Sequence, residues 1–117
     1  MVRRPWLAWF GLLCACAIAG CGKCPPNCEV FRGRQPNGKV VEMCARSNNF
    51  MRNGPYTEFS AGGKPELVGQ YADNVKTGVW RAYDHAGRFA EAMCYTNDGK
   101  VRWREKRESE IEKRTCP

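Results

Sequence analysis

From Gly54 onward the chain copies itself at a spacing of 24 residues, and this repeat restricts the fold more than any other feature. The run Gly54-Pro55-Tyr56-Thr57-Glu58-Phe59-Ser60-Ala61-Gly62-Gly63-Lys64 is matched by Gly78-Val79-Trp80-Arg81-Ala82-Tyr83-Asp84-His85-Ala86-Gly87-Arg88, glycine for glycine, aromatic for aromatic, cation for cation. At the same offset Tyr71 meets Tyr95. A period in the twenties signals stacked supersecondary units, each unable to bury its apolar face alone. Each unit reads as a hairpin. Short strands, Tyr56 to Phe59 and Trp80 to Tyr83, run into Gly-bearing tetrapeptides at 60–63 and 84–87, and return strands follow at 66–71 and 89–95. Gly63 and Gly87 close these turns, where a residue able to take positive φ is needed.

Weaker copies flank the pair. Phe31 stands seven residues before Gly38-Lys39, as Tyr56 stands before Gly63-Lys64. Downstream, Asn97-Asp98-Gly99-Lys100 has the composition of a type I′ turn, with Gly99 in the turn, joining Met93–Thr96 to Val101–Trp103. The expected fold is therefore all-β: an open antiparallel meander of about three repeated hairpins over 29–103. Gly54, Tyr56, Phe59, Gly63, Lys64, Gly69 and Tyr71 in one copy, and Gly78, Trp80, Tyr83, Gly87, Arg88 and Tyr95 in the next, resemble the bacterial MORN-repeat variant. That resemblance covers roughly residues 53–97 and implies an interaction surface with no catalytic residues attached. The second copy departs from it in carrying Met93 where the first has Gly69.

Stacked hairpins bury little per unit, so the aromatics are expected to supply most of the core. The expected ladders are Tyr56, Trp80 and Trp103, with Phe59 beside Tyr83. A three-residue spacing puts the two aromatics of each pair on opposite faces of a regular strand. Either both faces are covered or a bulge intervenes.

The N-terminus carries a second signal. Arg3 and Arg4 precede an apolar run from Trp6 to Ala19, and Ile18-Ala19-Gly20-Cys21 closes it with small residues and a cysteine. This resembles the lipobox of bacterial lipoproteins, with Ile in place of the commoner Leu. The resemblance implies cleavage after Gly20, a diacylglyceryl thioether on Cys21 and palmitate-type acyl chains on the new N-terminus. An apolar run of 14 residues is too short to cross a bilayer core as a helix, which needs about 20. The expectation is a signal peptide at 1–20, an anchored protein and not a spanning one, with a lipidated, Pro-rich spacer at 21–28. Gly22 follows the cysteine where enteric bacteria place Asp to retain lipoproteins at the inner membrane, so by resemblance the outer membrane is expected.

Removing residues 1–20 leaves 97 of the 117 residues and lowers the net charge from +7 to +5. That is one small domain with a thin core and a modest basic excess. No nucleic-acid motif accompanies it, and nucleic acid is not an expected partner. Of the eight cysteines, Cys14 and Cys16 leave with the signal and Cys21 takes the lipid. Cys24, Cys28, Cys44, Cys94 and Cys116 remain. Export favours two disulfides and one leftover thiol. The odd count leaves a free cysteine, an intermolecular bridge, or a Cys21 that pairs instead of carrying lipid.

Equivalent strands two hairpins apart lie roughly 20 Å from each other, whereas a disulfide needs Cα atoms within about 7 Å. Cys44 and Cys94 therefore should not bond each other. Cys94 with Cys116, and Cys44 with Cys24 or Cys28, are the expected pairs. Cys24 and Cys28 have a spacing that zinc would accept, but no second Cys or His pair lies close by, and neither a metal nor a cofactor is expected.

His85, the only histidine, falls in a turn with no nucleophile in sequence reach, and Glu58, Glu66, Asp73, Asp84 and Glu91 are dispersed singly. No nucleophile, base and orienting group assemble, so an enzyme is not expected. The segment 104–117 is mixed in charge. It reads as a short helix or tail held by Cys116, with Glu110 four residues before Arg114 as a helix-supporting pair. The function expected from all this is a lipid-anchored, non-enzymatic protein-interaction or scaffold module of the cell envelope with an unidentified protein partner. The alternative is an immunity or antitoxin-type protein that neutralises an exported toxin.

Overall fold

The structure, a computed structural model, describes residues 23–116. The chain forms seven antiparallel strands in one open sheet whose spatial order is its sequence order: β1 (Cys28–Arg34), β2 (Val40–Arg46), β3 (Arg52–Phe59), β4 (Pro65–Ala72), β5 (Val75–Tyr83), β6 (Phe89–Tyr95) and β7 (Val101–Glu105). A 3₁₀ helix, Glu108–Lys113, follows. The expected meander is the observed one, stapled by Cys24–Cys44 and Cys94–Cys116. Among the described residues, no helix is long and apolar enough to cross a membrane.

Four of the six turns are built alike. In Gln35–Lys39, Ser60–Lys64, Asp84–Arg88 and Thr96–Lys100, the first residue's N–H donates to the fifth residue's carbonyl. The fourth residue's N–H donates back to the first residue's carbonyl. The fourth residue is Gly38, Gly63, Gly87 or Gly99, at φ between 82° and 89°. This is a type I turn closed by a left-handed glycine, which restores the twist that a type I turn alone would splay. Two residues then oppose one on the partner strand, with Glu66, Ala90 and Arg102 the extra residues in three of the hairpins.

The turn at 96–100 thus belongs to this class and not to type I′, because Gly99 alone takes positive φ there. The two-residue turn that does carry positive φ at both centres is Asp73-Asn74, at 47° and 70°, between Ala72 and Val75. Aspartate and asparagine tolerate that region better than other non-glycine residues, and this turn lets β4 and β5 follow each other directly.

Register divides the side chains between two faces. Phe31, Met43 and Tyr56 lie opposite one another across β1–β3, and Trp80 lies opposite Met93 across β5–β6. Tyr56 and Trp80 touch, at 5.5 Å between centroids, so these residues share one face. Cys44, Ala92, Cys94, Trp103 and Glu105 project from the other.

The first face packs against itself. Trp80, with no exposed surface, is ringed by Tyr56, Tyr71 and Tyr95 at centroid distances of 5.2–6.2 Å. Its indole N–H is shared between the carbonyls of Gln70 (3.1 Å) and Thr77 (3.2 Å). The ring lies flat over Gly69, where a Cβ would come within 2.5 Å of the indole Cγ. Gly69 is therefore the floor on which Trp80 rests. Met93, its counterpart 24 residues on, has the Tyr95 hydroxyl 3.7 Å from its sulfur. Beyond it stands Arg104, whose guanidinium lies 3.5 Å from the Met93 sulfur.

The second face is covered by the two ends of the domain. Cys24 bonds Cys44 (Cα–Cα 5.5 Å), and Pro25 lies against Gly54. At the other side Cys116 bonds Cys94, and Ile111 is buried as the helix packs against β6 and β7. Trp103 belongs here and not to the Tyr56–Trp80 ladder. Its indole donates to the Thr115 carbonyl at 3.0 Å, and the Arg114 guanidinium stands over its ring. The Phe59–Tyr83 stack also gives way to other partners. Phe59 lies under Arg32, and Tyr83 meets Phe89 at 6.2 Å.

Glu105 organises the C-terminal end. Its side chain is only 6% exposed, yet it accepts hydrogen bonds from the backbone N–H and guanidinium of Arg107 and from the guanidinium of Arg114. The Arg107 bonds, aided by Arg114, hold its pKa at about 2. The expected Glu110–Arg114 pair is replaced. In a 3₁₀ helix residues three apart eclipse, so Glu110 pairs with Lys113 at 3.2 Å, leaving Arg114 to Glu105.

Candidate interaction surface

The aromatic face carries cations at the repeat spacing. Arg52 lies over the Tyr71 ring at 4.3 Å and donates to its hydroxyl at 3.1 Å. Twenty-four residues later Lys76 lies over Tyr95 at 5.3 Å and over Trp80 at 4.8 Å. Each cation sits just outside the turn that opens its strand and reaches across the sheet to the ring of its own unit. Such contacts are worth about 0.5–1 kcal/mol when exposed. The sequence holds the signal, since Arg52 and Lys76 share the offset of Tyr71 and Tyr95. Only the register reveals that the two sets meet.

Toward β1 this face opens into a groove of about 550 Å³ lined by Phe31, Val41, Met43, Phe50, Arg52 and Tyr56. Phe50, in the turn between β2 and β3, packs edge-on against Phe31 at 5.7 Å and remains 66% exposed. Its backbone is left-handed, at φ 60°. Burial, with some help from the Glu58 charge, raises the pKa of the Tyr56 phenol, so the groove presents a neutral hydroxyl. Apolar walls with one guanidinium and one phenol suit a ligand that is mainly apolar and accepts hydrogen bonds. The groove lies beside β1, an edge strand whose outer backbone groups have no strand partner in the sheet. Arg32, paired with Glu42 at 2.7 Å, and Arg34 charge that edge.

The other residues singled out in the sequence fall elsewhere. Among the described residues Cys28 is the unbridged cysteine, half-buried at the start of β1, and Asn53 donates to its sulfur at 3.8 Å. His85 is exposed on the Asp84–Arg88 turn with Nδ1 3.0 Å from Glu66. Glu66, itself nearly buried, also holds Lys39 at 3.0 Å, and that bond lowers its pKa. Among the described residues no group of three or more His, Cys, Asp or Glu side chains comes together as a metal site would require. Cys21 lies outside the described residues.

Phe50 escaped the sequence reading because it does not repeat at 24 residues, whereas Phe31 was placed as the upstream counterpart of Tyr56. Their contact depends on a turn whose residues, Ser47-Asn48-Asn49-Phe50, carry no glycine signal. The chain matches no protein-family model and no curated protein sequence.

Proposed function

We propose that this chain is a lipid-anchored envelope protein whose sheet serves as a non-enzymatic interaction module. The observation that carries the reading is the groove at Phe31, Met43, Phe50 and Tyr56, an open apolar surface on a domain whose other face is occupied by its own termini. Phe50, two-thirds exposed beside the half-buried Phe31 and Tyr56, gives the concavity the open aromatic wall that a partner-binding surface needs, and a monomer with no partner gains nothing from leaving that ring in water. The Arg3 to Cys21 segment supports the anchored half of the reading through its likeness to a lipobox.

Two measurements test the halves separately. Cys21→Ser should move the protein from the detergent phase to the aqueous phase in a phase-separation assay while leaving its melting curve unchanged. Equal aqueous recovery of wild type and variant sinks the anchor. A photocrosslinker at Val41, inside the groove, should capture a defined envelope protein, whereas one at His85 on the far turn should not. Identical capture from both positions sinks the groove as the binding surface.

A further inference from the structure

We infer that the end of the sheet bearing the β2–β3 turn rests on the lipid surface, with Phe50 entering the bilayer interface as a second attachment point. This rests on the proposed lipidation of Cys21 and adds to it a fixed orientation of the domain.

The tether is short. Two residues, Gly22 and Lys23, separate Cys21 from Cys24, and the three Cα-to-Cα steps between the cysteines span at most about 11 Å when fully extended. Cys24 is bonded to Cys44, two residues short of the end of β2 at Arg46 and therefore about 7 Å from that end at the strand rise. A lipid on Cys21 thus reaches this end of the sheet with a few ångströms to spare. The opposite end, with the Gln35–Lys39 turn, lies four residues of β2 or about 13 Å beyond Cys44 before the turn is counted, outside the tether's reach. The disulfide removes the slack that a flexible linker would have given.

The reachable end is also where apolar side chains face water. Phe50 is 66% exposed in the β2–β3 turn, and Val101, at the start of β7, lies at the same end of the meander and is 41% exposed. Val30, 61% exposed, sits two residues into β1 beside the Cys24–Cys44 bridge. These are the large exposed hydrophobics among the described residues, and all lie toward the anchored end. Phe50 packs edge-on against Phe31 at the rim of the groove, and two-thirds of its surface stays in water. Its N–H donates to the Arg46 carbonyl, the Asn49 side chain accepts from Met51 N–H, and the residue takes a left-handed conformation that bulky residues avoid. A ring kept in water at that position has a use if the surface it meets is apolar. Of the arginines that flank the turn, Arg46 is paired with Asp73 at 2.6 Å and Arg52 lies over the Tyr71 ring, so the apolar ring and not charge carries the contact.

The test uses the full acylated protein reconstituted in phosphatidylethanolamine–phosphatidylglycerol vesicles containing a lipid brominated near the top of the acyl chain. Phe50→Trp adds a fluorophore at the turn, and His85→Trp adds one at the opposite end as the control. The inference expects bromolipid to remove most of the emission added by Phe50→Trp and none of that added by His85→Trp. Asn48→Trp, on the same turn, stands in if Phe50→Trp fails to fold. The mass of the mature N-terminus reports acylation independently. An acylated protein with no quenching at the turn overturns the inference and leaves the anchor intact. A protein without acyl chains overturns both.

Discussion

Gly69 and Trp80 form the tightest dependence in the sheet, and Gly69→Ala should reveal it. The new methyl carbon would fall within 2.5 Å of the indole Cγ, whereas carbon atoms pack at about 3.5–4.0 Å. The ring must lift by more than about 1 Å, out of the ring of tyrosines, at an overpacking cost of about 1–3 kcal/mol. Lifting also draws the indole N–H from the Gln70 and Thr77 carbonyls, and a buried donor left unpaired costs about 1–3 kcal/mol. Against this, alanine is the better strand residue by about 0.5–1 kcal/mol.

Taking both costs near the low to middle of their ranges, the net destabilisation is about 2–3 kcal/mol, a large share of the 5–15 kcal/mol typical of a domain. Trp80→Leu removes the obstructing ring and is itself destabilising. In that background Gly69→Ala should stabilise by about 0.5–1 kcal/mol, giving a coupling energy of about 2.5–4 kcal/mol. Urea unfolding followed by far-ultraviolet circular dichroism measures all four proteins without depending on tryptophan emission. Equal cost of Gly69→Ala in both backgrounds would refute the claim that the ring rests on Gly69.

Other outcomes follow from the turns, the staples and the C-terminal carboxylate. Gly63→Val and Gly87→Val should each cost more than about 1 kcal/mol, from φ values of 89° and 86°, while Lys64→Ala and Arg88→Ala stay within about 0.5 kcal/mol. Thermal melts that cannot tell the two sets apart would reject the shared turn geometry. Replacing Cys94 and Cys116 together by alanine should cost about 3 kcal/mol for a loop closed over a separation of 22 residues, and a chelator should leave the wild-type melt unchanged. Peptide mapping that finds these thiols free would overturn the staple. The Glu105 pKa lies below its ordinary 4.5, at about 2. Its stabilising contribution is therefore full above about pH 4.5 and disappears as the pH falls toward 2. Melting temperatures of wild type and Glu105→Gln should differ at pH 7 and converge near pH 2, and a gap constant across that range would count against the Arg107–Arg114 clamp.

The hairpins were legible because their determinants are local. A glycine followed by a cation fixes each turn, and alternating aromatics fix which residues cross the sheet. The disulfide partners were legible for a related reason, since strand spacing alone forbids Cys44–Cys94 and leaves few choices. What escaped depends on the exact register. The bulges at Glu66, Ala90 and Arg102 shift one strand against the next, and with them which rings meet. Trp103 therefore shares a face with Cys94 and meets the C-terminal tail. The Asp73-Asn74 turn lacks glycine and gave no signal, although β4 and β5 depend on it. The groove was hidden for the same reason, because Phe50, which closes it against Phe31, lies in a glycine-free turn outside the repeat.

Because every strand pairs only with its neighbours in sequence, no part of the sheet waits for a distant partner. Relative contact order is low for an all-β chain, and structure can spread from one hairpin to the next. In a chain that emerges N-terminus first, β1 and β2 are complete once Arg46 is clear, and the Cys24–Cys44 bridge, spanning only 20 residues, can close at that moment. Cys28, four residues from Cys24, is the rival for Cys44 during that interval. The order of emergence thus sets a single early choice of thiol. The second bridge must await Cys116, at the very end of the chain, when the sheet it staples is already paired.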